Sequence, residues 1–184
     1  MVNRAVPNGA GLPITNDFDL SGFIGGFDVG CDWQWGVWVF GVEGDWSATN
    51  KSGQAFGQFP FNPDNIHETQ ERWLATARAR LGWTWWDKTM VYVTGGGAWA
   101  KVDNSSWRDT VPFISSFSTH QLSGWTVGAG AEYALGYGWS ARGEYLYVDF
   151  GTSTSNGSGP FAGDVTNFQL RDHIFRAGLN YKFW

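Results

Sequence analysis

Charged side chains in this 184-residue sequence recur at alternate positions rather than in clusters. Asp28 and Asp32, Glu43 and Asp45, Arg78 and Arg80, Glu132, Arg142 with Glu144, and Arg176 with Lys182 occupy one phase of runs whose other phase is aromatic or small and aliphatic. Period-two spacing puts such residues on a single face of a strand. Six acids against five bases on facing strands would form an ion-pair network, a chemistry of packing rather than of turnover. Other candidates for chemistry are sparse. His67, His120 and His173 are the only imidazoles, and neither Cys nor carboxylate accompanies them at metal-ligand spacing, so no metal or cofactor site is expected. Gly95-Gly96-Gly97 and Gly128-Ala129-Gly130 have the composition of phosphate loops, but neither leads into a Lys-Ser/Thr pair or a helical pattern.

The elements that must position these residues are strands. Seven alternating runs are predicted. The first three set Phe23 to Trp33 against Asp28 and Asp32, Trp38 to Trp46 against Glu43 and Asp45, and Trp73 to Trp83 against Arg78 and Arg80. Val91 to Trp99 forms an uncharged fourth run, and Trp125 to Leu135 opposes Glu132 in the fifth. Trp139 to Tyr147 opposes Arg142 and Glu144, and Phe175 to Phe183 opposes Arg176 and Lys182. Short connections (34–37, 86–89, 136–138) alternate with long polar ones (48–70, 103–121, 151–167). Strands of about 10 residues with short turns at one end and long loops at the other predict an all-β, antiparallel up-and-down transmembrane barrel.

Composition decides which face meets lipid. The sequence holds 13 Trp and 26 Gly, and 12 Lys+Arg against 17 Asp+Glu leave it mildly acidic, without the basic patch that nucleic acid requires. A soluble barrel would have to put the tryptophans in a lumen just wide enough for ordinary side chains. In a membrane the uncharged phase points outward, because a charge at the midplane costs about 2–4 kcal/mol. The rings then fall into two interfacial belts, with Trp33, Trp38, Trp83 and Trp139 near the short turns and Trp46, Trp73, Trp99 and Trp125 near the long loops. The charged phase points into the lumen. No stretch is apolar enough for a membrane-spanning helix, and the lone Cys31 rules out an internal disulfide.

The segments SGFIGGFDVGCDWQWGVWVFGVEGDWS from Ser21, RWLATARARLGWTW from Arg72, VYVTGGGAWAKV from Val91, GWTVGAGAEYAL from Gly124, WSARGEYLYVDFG from Trp139 and HIFRAGLNYKF from His173 carry a family resemblance. In this order they resemble the small alphaproteobacterial outer-membrane β-barrels, known as porin-family or outer-membrane immunogenic proteins and similar to the OmpA membrane domain. The resemblance implies an eight-stranded barrel over residues 21–184 in the bacterial outer membrane. It implies outer-membrane lipid and lipopolysaccharide as surroundings. It also implies an assembly signal in Gly178, Tyr181 and Phe183, read by the outer-membrane assembly machinery, although Trp184 follows where the signal usually ends the chain. Family members carry a signal peptide and a first strand ahead of the segment matching Ser21, so residues 1–20 are expected to be a loop-like remnant of a first external loop, with seven of eight strands visible.

Function is then expected to be structural, with the long loops meeting partners above a plugged polar lumen. The alternatives are a narrow porin and a haem- or small-ligand-binding surface protein, for which the three histidines would be the only candidates. A lipid A-modifying enzyme would need His, Ser and an acid together on the outer face. His173 has the required phase, but Phe175 stands next to it on that face and no outward Ser is near. The chain is therefore not expected to be an enzyme.

Overall fold

The computed structural model describes residues 2–7, 18–19, 22–56, 65–86, 88–108, 116–156 and 165–183. They form ten strands: β1 (Val2–Pro7), β2 (Phe18–Asp19), β3 (Ile24–Trp35), β4 (Trp38–Thr49), β5 (Ser52–Phe56), β6 (Asn65–Trp86), β7 (Thr89–Arg108), β8 (Ser116–Gly136), β9 (Trp139–Asn156) and β10 (Val165–Tyr181). The seven alternating runs lie on β3, β4, β6, β7, β8, β9 and β10. All pairings are antiparallel, in the order β2-β1-β10-β9-β8-β7-β6-β4-β3, with β5 beside β6. Short turns join the hairpins at one end. Tyr137 and Gly138 both have positive φ (54° and 84°), the backbone of a type I′ turn that matches the twist of the flanking strands.

Two expectations are corrected. Much of the sequence expected as long loops is ladder: β6 starts at Asn65, β7 runs to Arg108, β8 starts at Ser116 and β9 runs to Asn156. Lipid asks only about 9–11 residues of a tilted strand, whereas β6 has 22. Beyond the bilayer the strand needs no apolar phase, so these Ser-, Thr- and Asn-rich extensions carry no alternation to read. Residues 1–20, expected to be loop-like, contain β1, which pairs with β10 from Val2↔Arg171 to Pro7↔Thr166. The extra length of β10 gives β1 backbone groups to bond.

The sheet curls without closing. Among the described residues β3 has no strand beyond it, and β10 has none on the same side between Asp172 and Tyr181. These edges flank the place where an eighth spanning strand completes an up-and-down barrel. The outer wall carries Phe27, Val29, Phe40, Val42, Leu81, Val93, Val127 and Leu179, all exposed. The buried side chains point the other way, and on the long-loop half they form an apolar cluster of Leu74, Ala98, Ala100, Val102, Leu146, Val148, Phe150, Leu170 and Ile174.

Candidate functional site in the barrel interior

Four arginines organise the short-turn half of the interior. Arg78, enclosed by the surrounding side chains, faces Glu43 and Asp45 on β4 and Glu144 on β9, the last two at 3.1 Å. Arg176 bonds Glu144 at 2.6 Å through Nε and reaches Asp45 at 3.1 Å through Nη1. Arg142 contacts Asp28 at 2.9 Å and Glu43 at 3.0 Å. Arg80 pairs with Asp32 and lies 3.1 Å from Glu132, with its guanidinium 4.7 Å above the Tyr92 ring. Tyr92 donates to Glu144 at 3.1 Å, and Gly130 makes room for it: a Cβ there would stand 2.5 Å from the phenol. Besides its ladder neighbour β4, these pairs join β6 to β3, β8 and β9, so side chains tie walls that share no backbone bond.

The structure thus brings together ten of the eleven residues expected in the network. Lys182 stands apart. It lies past the end of β10, exposed at the short-turn mouth, with its backbone N–H donating to the Gly138 carbonyl at 2.8 Å. The interior wall has ended at Tyr181, so the alternation no longer aims a side chain inward.

The interior is not polar throughout, as the sequence reading had it. Along β9 the inward residues pass from Arg142 and Glu144 to Leu146, Val148 and Phe150, and along β10 from Arg176 to Ile174. An apolar layer therefore covers the charged one on the long-loop side. The signal was present: Leu146 and Val148 continue the charged phase of β9.

A second polar group, unforeseen from the sequence, lies beyond that layer. Lys51 Nζ, in the β4–β5 connection, is 3.5 Å from Glu71 Oε2 and 3.3 Å from Asp172 Oδ2, and all three side chains are more than nine-tenths buried. These are charge contacts. No hydrogen bond among the described residues reaches Lys51 Nζ, either Glu71 carboxyl oxygen or Asp172 Oδ2. Glu71 stands outside the membrane-spanning part of β6, on the loop side of Trp73, and burial pushes its carboxyl up to about 8, with Asp172 acting in the same direction and Lys51 against it. Glu71 shares the phase of outward Trp73, so simple alternation would place it outside. A β-bulge between Glu71 and Trp73 reverses the phase and turns it inward.

Outside, Trp33, Trp38, Trp83 and Trp139 line the short-turn rim, and Trp139 packs on Tyr181 at 5.1 Å. Trp46, Trp99 and Trp125 are exposed toward the long-loop rim with Trp73 half-buried, and Phe27–Trp46 and Trp125–Tyr147 are ring pairs at 6.0 and 5.5 Å. Above this band, the Thr119 hydroxyl and Arg72 hold the Asp103 carboxyl below its ordinary range. On the outer wall His173 Nδ1 lies 2.7 Å from the Tyr145 hydroxyl, and its ring meets Tyr147 at 5.3 Å. Phe175, two residues on along the same face, packs on the Tyr145 ring at 4.9 Å. The side chains of His67 and His120, and Trp184, lie outside the described residues. Gly178, Tyr181 and Phe183 follow one another along the exposed end of β10 and just past it.

An antiparallel up-and-down sheet that is aromatic at both outer rims and ion-paired within defines an outer-membrane β-barrel protein. The chain belongs to the family described as the outer membrane protein beta-barrel domain, which it matches over residues 7–183. It is 37% identical over 171 residues to the 31 kDa outer-membrane immunogenic protein of Brucella melitensis, covering 91% of this chain and 69% of the relative, and equally so to that of Brucella suis. To the 25 kDa outer-membrane immunogenic protein of Brucella melitensis it is 28% identical over 185 residues, covering 98% of this chain and 73% of the relative. The bacterial outer membrane is its location, and lipid and lipopolysaccharide are its surroundings.

Proposed function

We propose that this chain is a structural, surface-exposed barrel whose lumen is plugged, and whose long-loop end meets extracellular partners. The arrangement of Arg78 carries this reading. A guanidinium enclosed by three carboxylates, beneath a layer of Leu74, Leu146 and Val148, fills the short-turn half of the interior with paired charge, which supports a plug. Ladders that continue past the outer aromatic rim support the second part, because they hold the loops away from the lipid surface. Gly178, Tyr181 and Phe183 present an exposed aromatic strand end that suits recognition by the outer-membrane assembly machinery.

Planar bilayer recording of the refolded protein tests the plug. Silence or brief small openings are expected, and a large steady conductance would establish a porin instead.

A further inference from the structure

Lys51, Glu71 and Asp172 come from three separated parts of the chain: the β4–β5 connection, the loop-side end of β6 and the middle of β10. In the sheet order β10 stands at one end of the spanning strands and the β3–β4 hairpin at the other, on either side of the unclosed edge. The cluster therefore joins the two sides where, among the described residues, no backbone hydrogen bond does. Its composition is unbalanced, since one ammonium meets two carboxyls. Buried Val102 stands opposite Glu71 in the ladder, and buried Leu170 and Ile174 lie two residues either side of Asp172 along β10. The remaining charged groups nearby are committed elsewhere: Arg72 holds Asp103, and Asp149 is held by Arg171, Tyr147 and the Gly151 amide. Lys101, on β7 next to the Glu71 partner Val102, sits in the outward phase opposite Trp73.

We infer that Lys51, Glu71 and Asp172 form a proton-binding site whose occupancy holds the β4–β5 connection against β10 across the open side of the sheet. A carboxylic acid supplies one O–H donor and removes one negative charge, which leaves a neutral group of one cation and one anion. Loss of that proton adds an uncompensated charge to an apolar enclosure, and the connection is released toward water. The sign follows from the raised Glu71 carboxyl. The folded state binds the proton more tightly than the unfolded chain does, so the contribution to stability is complete below the ordinary carboxyl range and is lost as pH rises to about 8. The site works this way whether or not the lumen conducts.

Trypsin reads the latch directly, because Lys51 is itself a cleavage position that burial protects. In detergent micelles, cleavage after Lys51 is followed by mass spectrometry and divided by cleavage after the exposed turn residue Lys88. The ratio is expected to rise about tenfold between about pH 6.5 and about pH 9.5. Glu71→Gln should keep it low at every pH, and Asp172→Asn should do the same because it also removes one negative charge. If Glu71→Gln does not fold, Asp172→Asn gives the same reading. A wild-type ratio that does not change with pH overturns the proposal, and so does a variant that keeps the wild-type rise.

Discussion

Arg78 shows what a single residue contributes here. Its guanidinium meets Glu43, Asp45 and Glu144 from two other strands, and no water-facing position is open to any of the four. Removal of the cation would leave three carboxylates in mutual repulsion, a far larger effect than the loss of one hydrogen bond. Arg78→Met is expected to cost about 3–5 kcal/mol in equilibrium urea unfolding of the refolded protein. Lys182→Met, at the exposed mouth, should stay within about 0.5 kcal/mol. Equal losses for the two variants would contradict a network centred on Arg78. At this scale the sequence was largely readable, because period two fixes the face of every charge within a strand. It named the ten network members but not their partners. Glu132 and Arg142 are direct neighbours across β8 and β9, yet Arg142 bonds Asp28 and Glu43 on the far wall.

For the strands, legibility follows the solvent. Where a strand faces lipid, the apolar phase is obligatory, and the seven runs could be counted from the sequence. Where it leaves lipid, that requirement ends, and the extensions of β6 to β9 read as loops. The bulge between Glu71 and Trp73 is a second such limit, since one extra residue reverses every side chain beyond it. The end of β10 carries a prediction of its own. Phe183 is exposed and its ring meets Tyr181 edge-on at 5.1 Å, so it presents an aromatic surface without anchoring the interior. Phe183→Ser is expected to lower the amount recovered in the outer membrane several-fold, while unfolding of the purified, refolded protein changes by less than about 0.5 kcal/mol. Normal outer-membrane levels would remove Phe183 from the assembly signal.

The whole sheet is held by two kinds of bond. Backbone ladders join each strand to its neighbour, and interior side chains join strands that are not neighbours: Arg176 to Asp45, Arg142 to Asp28, and Lys51 to Asp172. Disruption of one ladder therefore leaves the walls connected, and unfolding requires the interior network to break as well. Protein extracted from outer membranes is expected to migrate differently on a dodecyl sulfate gel before and after boiling, and co-migration of the two samples would count against a sheet with this resistance. The sequence by itself determined the class: alternation, the two tryptophan belts and the alternation of short and long connections are local or one-dimensional properties, and lipid imposes them strand by strand. Only the tertiary structure decided that the interior is layered, charged beneath and apolar above. It alone brought Lys51, Glu71 and Asp172 together. The phase of β9 already carries Leu146 and Val148 inward, but which walls meet depends on the curl of the sheet and the position of one bulge, which set distances between residues far apart in the chain and leave no period in the sequence.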